Sequence, residues 1–316
     1  MGIKGLNQLI REKANAGIKE VCLEKYRGKK AAVDANLYLY KFLYGKANHI
    51  DGLFLMINKL RKFGIEPIFV FDGKAPEEKR VTIEERKMVK EEMKKKVEEM
   101  NQQIAEMISK GEDIEDLLKE KESLEGKIVY VSWETLDSAK KLLDLLGVVY
   151  VRGTGEAEQI CVKLWKDGLV DLIITDDMDV FACGCEIVLR DFNYRKDYIR
   201  EYNHLNILKI MEMTQESFLD MCILLGTDYN TRPKNLSIER IYEIGKMGKL
   251  DWVEGMQKYR DLYDVSRLTL DVSQIDEIMK LSKLPNIPAL IQFMKMNSSL
   301  EANVYVMRIQ KMFYSL

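Results

Sequence analysis

The chain has 316 residues, of which 47% are hydrophobic, enough for one large globular domain or two modest ones with a real core. It contains no run of about 18 apolar residues and no amino-terminal signal segment, so we expect no membrane span and an intracellular protein, nuclear or cytoplasmic, that is not secreted. A formal net charge of −2 and a pI near 6.0 differ from the strongly basic balance of many nucleic-acid-binding proteins.

Four short apolar runs, rich in Val and Ile, predict the buried strands of a parallel sheet. They are KKAAVDAN (29–36), IEPIFVFDG (65–73), GVVYVRGTGE (147–156) and VDLIITDD (170–177). Amphipathic runs between them predict helices, namely LYLYKFLYG, HIDGLFLMINKLRKFG, SWETLDSAKKLLDLLG and EAEQICVKLWKDG. This alternation predicts an α/β fold with a mostly parallel sheet that is flanked by helices.

Acidic residues follow each of these strands, at the end where open α/β folds place their sites. A further acid follows an apolar helix in LDMCILLGTDY. The acids of this set are Asp34, Asp72, Glu156, Glu158, Asp177, Asp179 and Asp228. Each acid taken alone is more simply explained as a turn residue or a helix N-cap. Together, several carboxylates on one rim would raise each other's pKa and weaken the fold, whereas a divalent cation would reverse that effect.

Residues 75–126 are highly charged and contain few aromatic residues, and they predict two helices with a break at 109–111. The first helix is biased toward basic residues: Lys79, Arg80, Arg86, Lys87, Lys90, Lys94, Lys95 and Lys96. A solvated hairpin with i,i+4 ion pairs would explain this composition. Because the segment begins directly after Asp72, however, its basic arm is also placed to bind phosphate beside the acidic rim.

The cysteines and histidines offer little chemistry of their own. Cys183 and Cys185 form a CxC pair, but the chain has only two histidines, His49 and His204, so we expect these cysteines to fill the core. Five scattered cysteines give no disulfide framework and fit a reducing compartment.

Six motifs of the sequence resemble those of the flap endonuclease group of structure-specific 5′ nucleases, in the family's order. They are MGIKGL, VDANLYLY, FVFDGKAPEEKR, GEAEQ, TDDMDVFACG and CILLGTDY. The resemblance runs from Met1 to about Tyr229 and implies a PIN-like core with a helical arch. It also implies two Mg²⁺ ions, for which Mn²⁺ can substitute, and cleavage of DNA at 5′ flaps, nicks or 5′ ends.

The resemblance also implies a role for individual residues. All seven acids of the set above fall on the family's metal-binding carboxylates, while the neighbouring Asp176 is left out of the ligand set. Lys79 and Arg86 fall on arch residues that meet the scissile phosphate, so the catalytic set is Lys79, Arg86 and Asp177. Gly2 falls on a residue packed near the active site, and Tyr40 on an aromatic against which the terminal base stacks, although core packing would also explain Tyr40. With Arg80 and Lys87 of the basic arm and Arg232 and Lys234 of the segment after GTDY, the predicted nucleic-acid-binding set is Gly2, Tyr40, Lys79, Arg80, Arg86, Lys87, Arg232 and Lys234.

The chain departs from the family pattern after GTDY. The family has a Gly-Pro-containing turn there that grips the duplex and holds a K⁺ ion, whereas this chain has NTRPKNLSIERIYEIGKMGKLDW. Arg232, Lys234 and Lys246 could still contact phosphates, and Ser237 could cap a helix. The resemblance leaves undecided whether this chain has the family's K⁺ site. The region from about Lys249 is helical in pattern and Met-rich, and it has no sliding-clamp peptide.

These patterns divide the chain into a nuclease region (1–74), a charged arch (75–127), a second nuclease region (128–229) and a divergent helical region (230–316). The leading hypothesis is a monomeric, two-metal 5′ nuclease that acts on DNA in replication, repair or recombination. RNA as the substrate, as in mRNA-degrading relatives, is the alternative. A catalytically inactive binding scaffold is the third hypothesis, and it gives no reason to keep mutually repelling acids.

Overall fold

The computed structural model describes residues 2–45, 47–248, 250–251, 255–270, 275–276, 278–279 and 284–314. Its centre is a seven-stranded sheet with the order β1-β7-β6-β5-β2-β3-β4. The strands are β1 (Ile18–Cys22), β2 (Lys30–Asp34), β3 (Glu66–Phe71), β4 (Tyr150–Arg152), β5 (Leu172–Ile174), β6 (Ile187–Arg190) and β7 (Tyr198–Asn203).

The five strands from β4 to β6 are parallel, and β7 and β1 join them in antiparallel pairing. The mostly parallel sheet is therefore confirmed, and the four predicted strands correspond to β2, β3, β4 and β5. β1, β6 and β7 were not predicted. Of these, β1 and β7 are partly exposed strands with several charged residues, so they lack the continuous apolar character of central parallel strands.

Helices cover both faces of the sheet. The longer amino-terminal and central helices are α1 (Leu6–Lys13), α2 (Ala35–Tyr44), α3 (His49–Lys62), α4 (Arg80–Lys110), α5 (Glu115–Glu125), α6 (Trp133–Leu146) and α7 (Ala157–Lys166). They are followed by α8 (Asp179–Ala182), α9 (His204–Met211), α10 (Gln215–Leu225), α11 (Ile238–Lys246), α12 (Met256–Leu262), α13 (Ile287–Asn297) and α14 (Ala302–Tyr314). The four helices predicted around the strands are confirmed as α2, α3, α6 and α7.

The alternation of side chains along each strand divides the core into two layers. On β2, Ala32 faces one hydrophobic cluster, which includes residues of α1, α7 and α10, whereas Ala31 and Val33 face the other, with α2, α3 and α6. β5 repeats this division, with Ile173 on the first side and its two neighbours on the second. Because both faces are covered, the central strands are apolar throughout.

The charged segment forms a helical hairpin, as predicted. The long helix α4 ends at Gly111, which has a φ of 69° and closes the helix in the left-handed conformation. The shorter helix α5 packs back against it, and Met100 and Ile104 are the buried residues of α4. Ser237 caps α11 through a hydrogen bond from the Arg240 N–H group, which confirms that prediction.

The carboxy-terminal region is helical where it is described, in α12, α13 and α14. The predicted helical, Met-rich region also includes Lys249 and residues 252–254, 271–274 and 281–283, which lie outside the described residues. No helix in the described part of the chain has the length and apolar character that a membrane crossing requires. The division of the chain into four regions stays a prediction.

Candidate active site

The acids predicted from sequence line one cavity at the carboxyl edge of the parallel strands. It has a volume of about 230 Å³ and lies beneath the start of α4. Its lining includes Asp34, Asp72, Glu156, Glu158, Asp177 and Asp228, together with Tyr40, Lys79, Arg86 and Val131. The seventh acid, Asp179, is not part of this lining but lies behind it, beside Asp177.

Two of these acids also bond to the first turns of helices. Asp34 is the N-cap of α2 and accepts a 3.0 Å hydrogen bond from the Leu37 N–H group. The Asp72 carboxylate accepts a 2.8 Å bond from the N–H group of Ala157, the first residue of α7. Because helix N-termini attract anions, the local chain holds both carboxylates at the edge of the sheet. The capping and site interpretations of these acids are therefore compatible.

Asp177 and Asp179 are held by the loop that follows β5. The Asp177 N–H group donates to Thr175 Oγ1, which itself donates a 3.2 Å bond to the Asp34 carboxylate. The Asp179 N–H group donates to Asp177 Oδ1 at 3.1 Å. Asp179 is only 2% exposed, and its Oδ1 has no hydrogen-bond partner among the described residues. The loop thus buries an acceptor that the protein leaves unsatisfied.

Gly2 packs against the same two acids. Its φ is 77°, and a Cβ atom at this position would lie 2.5 Å from Asp179 Oδ1 and closer still to Asp177 Oδ1. No side chain fits there without displacing both carboxylates. The structure therefore places Gly2 against two of the site's acids, and the resemblance located it near the active site.

Asp34, Glu158 and Asp179 resist ionisation in this arrangement. Burial, followed by the charge of Asp72, raises the pKa of Asp34 to about 8. Burial also raises the pKa values of Glu158 and Asp179, and the charges of Glu156 and Asp177 add to these two shifts. The acids of the rim therefore repel one another, and a bound cation would reduce this repulsion.

Two basic residues from the start of the arch meet this cluster. Lys79 forms a salt bridge with Glu156, and its Nζ lies 3.2 Å from Asp228. Arg86 donates a 2.6 Å bond to the other oxygen of Asp228. Burial alone would lower the pKa of Lys79, but the charges of Glu158 and Glu156 outweigh it and raise the pKa. The predicted juxtaposition of basic arch and acidic rim is present.

The donor set fits a hard divalent cation. All the candidate ligands are carboxylate oxygens, the atoms that Mg²⁺ prefers, and the unsatisfied Asp179 Oδ1 lies among them. Among the described residues, no three acidic, histidine or cysteine side chains already have the spacing of ligands around one ion. The lysine and arginine contacts draw Glu156 and Asp228 toward the arch, so metal binding requires these side chains to reorient.

Sequence reasoning missed one residue of this site, Tyr229. Its hydroxyl bonds to Glu156, and the Gln159 amide donates to the same hydroxyl at 3.2 Å. The position of Tyr229 directly after Asp228 was the only signal in the sequence.

The neighbouring acid, Asp176, has a separate role. It forms a salt bridge with Lys41 and accepts a 2.7 Å bond from the Asp191 N–H group. These contacts agree with its exclusion from the ligand set.

The remaining predicted nucleic-acid contacts lie outside the carboxylate cavity. Arg80 pairs with Glu84 at 2.8 Å and Lys87 with Glu91 at 3.8 Å, both on the exposed surface of α4. Arg232 and Lys234 line a separate open cavity of about 440 Å³ with Lys4 and Thr231. Lys246 instead pairs with Glu212 at 2.8 Å. The roles of these residues stay predictions.

The free cysteines and the histidines are packing residues. Cys183 and Cys185 are buried and unpaired, as expected for core filling. His204 is buried against Phe181 and Phe218, and burial lowers its pKa to about 4. His49 is half-buried and contacts the Ser138 hydroxyl.

Comparisons with known proteins agree with this geometry. Residues 1–93 match the XPG N-terminal domain, and residues 147–228 match the XPG I-region. Flap endonuclease 1 of Debaryomyces hansenii is 32% identical over 331 aligned positions, which cover 93% of this chain and 83% of that protein.

Solved structures give the same fold. The catalytic core of Rad2 in complex with DNA substrate superposes with a TM-score of 0.66 at 26% identity, and 99% of each chain is covered. Flap endonuclease-1 from Methanococcus jannaschii, at 23% identity, has the same fold with a TM-score of 0.65 and covers 94% of this chain and 95% of its own. The predicted PIN-like 5′ nuclease fold is confirmed, and the chain belongs to the flap endonuclease family.

Proposed function

We propose that this protein is a divalent-metal-dependent nuclease that hydrolyses phosphodiester bonds of DNA at 5′ flaps, nicks or 5′ ends. The observation that carries the proposal is the convergence of seven acids, from five separate segments, beneath two basic residues of a helical arch. An unreactive scaffold has no use for buried carboxylates that raise one another's pKa.

The acids would hold two ions. Asp34, Asp72, Glu156 and Glu158 would hold one ion, directly or through water, and Asp177, Asp179 and Asp228 would hold the other. When bound, a pair of Mg²⁺ ions activates water and stabilises the leaving oxygen of an in-line displacement.

The chain's own contribution is to place the substrate. Lys79 and Arg86 would exchange their carboxylate partners for oxygens of the scissile phosphate and offset its charge. The packing of Gly2 against Asp177 and Asp179 would keep these two acids in position. Neither histidine takes part, because both lie outside the cavity lining. We further propose that the protein acts as a monomer inside the cell, in replication, repair or recombination.

The test uses end-labelled 5′-flap, nicked-duplex and single-stranded DNA, with Mg²⁺ and with a chelator. We expect flap cleavage that requires Mg²⁺ and that Mn²⁺ restores after chelation. Asp177→Asn should abolish cleavage and leave DNA binding largely intact. The matched control is Asp171→Asn, at the opposite end of β5, where the acid pairs with Lys29 and should be dispensable for cleavage. Cleavage by Asp177→Asn at the wild-type rate would contradict the assignment.

The substrate class is tested in the same assay. The turn that follows Asp228 lacks the family's Gly-Pro pattern, and its basic residues Arg232 and Lys234 are exposed. Matched DNA and RNA flaps of identical sequence therefore belong side by side. Faster cleavage of the RNA flap would replace DNA with RNA as the substrate while leaving the metal chemistry in place.

A further inference from the structure

A separate cavity, of about 650 Å³, lies at the amino end of β2 and β3, at the opposite edge of the sheet from the carboxylate cavity. Arg27 of its lining comes from the turn before β2, and Lys62 is the last residue of α3, which leads into β3. About 20 Å of extended chain separates the first residue of β3 from Asp72, the acid that follows this strand. A small molecule in this cavity would therefore not touch the acids of the carboxylate cavity.

Five cationic side chains line this cavity, and we call them the basal cations. They come from three parts of the chain: the turn before β2, the end of α3, and α14. They are Arg27, Arg61, Lys62, Arg308 and Lys311. Because α14 lies far from the other two parts in sequence, only the packing of the folded chain gathers these charges in one recess.

Two of the basal cations, both arginines, already have acidic partners. Arg27 donates to the two carboxylate oxygens of Glu24 at 2.5 and 2.9 Å. Arg61 donates to Glu66 at 2.8 Å and to the Leu146 carbonyl, also at 2.8 Å. These contacts fix both guanidinium groups in the wall of the cavity.

The other three basal cations, Lys62, Arg308 and Lys311, form no salt bridge among the described residues. Asp197, whose charge also acts on Lys62, is itself paired with Lys59 at 2.5 Å. The cavity therefore has an excess of positive charge that the described part of the protein does not neutralise.

Arg308 also has hydrogen-bond donors without acceptors. One terminal N–H group donates to Asn58 Oδ1 at 3.2 Å. The Nε atom is buried and has no partner among the residues that the structure describes. Guanidinium groups bind phosphate oxygens through several N–H groups at once, so an anion in the cavity would supply the missing acceptors.

The attraction of cations to helix C-termini explains only part of this cluster. Lys62 and Lys311 lie in the last turns of α3 and α14, where unpaired carbonyls carry partial negative charge. Arg308 lies more than one turn before the end of α14, and Arg27 lies outside any α-helix. Because the dipole effect is confined to the last turn, it accounts for neither arginine.

We propose that the basal cations bind a small molecule that carries two or more phosphate groups. Three cations without acidic partners match the charge of a di- or triphosphate better than that of a single phosphate. The volume of the cavity lies within the range of roughly 300–1,000 Å³ that is usual for small-molecule sites. Cations that follow a nucleic-acid strand are instead spread along a groove. The inference is independent of the proposed nuclease function, because the two cavities share no lining residue.

The experiment measures the binding of inorganic tripolyphosphate by isothermal titration calorimetry, in metal-free buffer so that no metal–phosphate complex forms. We expect one molecule bound per chain, with an affinity that falls as the salt concentration rises. Sulfate, which has a single anionic centre, should bind about tenfold more weakly or worse. If tripolyphosphate does not bind, or binds no better than sulfate, the proposal is wrong.

Single-residue variants locate the binding. Lys311 is exposed, so Lys311→Ala should fold normally and raise the Kd for tripolyphosphate about tenfold, whereas Lys311→Arg should bind nearly as the wild type does. Arg308→Gln should also weaken binding, and a thermal melt checks that the loss of its bond to Asn58 leaves it folded. Lys295→Ala is the matched control, because this exposed lysine of α13 does not line the cavity. Equal changes of Kd in Lys311→Ala and Lys295→Ala would overturn the assignment to this cavity.

A further measurement separates a free polyphosphate from the phosphates of DNA. Binding of nicked duplex DNA to the wild type and to Lys311→Ala is compared in the same buffer, and we expect the same Kd and the same salt dependence for both proteins. A variant that lost affinity and salt dependence for DNA, but bound tripolyphosphate normally, would assign the basal cations to DNA and overturn the proposal. A wild type that binds tripolyphosphate but cuts no flap would keep this site and remove the proposed function.

Discussion

Replacing Asp179 by asparagine should stabilise the metal-free protein while removing its response to Mg²⁺. Asp179 is 2% exposed, and its Oδ1 lacks a hydrogen-bond partner among the described residues. Burial raises its pKa, and the charges of Asp177 and Asp228 raise it further. Asparagine has the same shape and no charge, so the substitution removes the repulsion without leaving a cavity.

The size of the effect follows from the geometry at Gly2. A Cβ atom there would lie 2.5 Å from Asp179 Oδ1 and closer to Asp177 Oδ1, so the two oxygens are at most about 5 Å apart. Two unit charges at that separation repel by about 3 kcal/mol at an effective dielectric constant of roughly 20. Partial protonation and the charge of Lys79 reduce this cost in the wild type. We therefore expect a gain of about 1–2 kcal/mol, or roughly 2–5 °C in Tm.

The assay is thermal unfolding, followed by circular dichroism in chelator and in saturating Mg²⁺. In chelator, the advantage of Asp179→Asn should grow as pH rises above the pKa of an aspartate in the unfolded chain, because the folded wild type holds a proton on Asp179 that the unfolded chain has released. Mg²⁺ at a hundredfold excess over its Kd should stabilise the wild type by about 2.7 kcal/mol and the variant by much less.

Asp176→Asn is the control, because the same substitution three residues earlier breaks a salt bridge to Lys41 and should destabilise the protein. If Asp179→Asn unfolds below the wild type in chelator, or gains as much from Mg²⁺, the reasoning about repulsion is wrong.

Two further predictions concern a glycine of the site and a histidine of the core. Gly2→Ala should lower the cleavage rate roughly a hundredfold, because its Cβ displaces two carboxylates. Gly28→Ala is the control, since Gly28 has a similar φ of 80° and its Cβ would have nothing within 4 Å. This variant should lose some stability in a thermal melt through backbone strain and should cleave normally. His204→Gln should flatten the acid side of the stability profile in urea unfolding. The free energy of unfolding of the wild type should fall by on the order of 3 kcal/mol as pH falls from 6.5 to about 4. The reason is that His204 binds a proton in the unfolded chain but not in the folded chain, where its imidazole is buried. An unchanged slope in the variant would show that other groups cause the loss.

The sequence was sufficient to predict the acidic rim because parallel strands impose a direction. Once β2, β3 and β5 are parallel, the residues at their carboxyl ends must share an edge, so Asp34, Asp72 and Asp177 converge without any knowledge of the loops. Asp228 was harder to place, since it follows a helix and reaches the cavity only through the packing of α10 against the sheet layer. The family motif, rather than strand direction, placed this residue.

Side-chain partnerships were beyond the reach of sequence patterns. The contacts of Lys79 with Glu156 and Asp228 depend on where α4 begins over the sheet, and no periodicity sets that position.

The acids that bond to the first turns of helices bear on how the fold tolerates this site. Asp34 and Asp72 each accept a hydrogen bond from the first turn of a helix, α2 and α7, where the backbone carries partial positive charge. That charge offsets part of the repulsion between the acids. Each bond uses Oδ1 of its carboxylate, the Oδ2 atom of Asp34 accepts a further bond from Thr175, and both side chains line the cavity. A helix N-terminus and a divalent cation both require an anion, so a single aspartate at the junction of strand and helix satisfies the fold and the chemistry together.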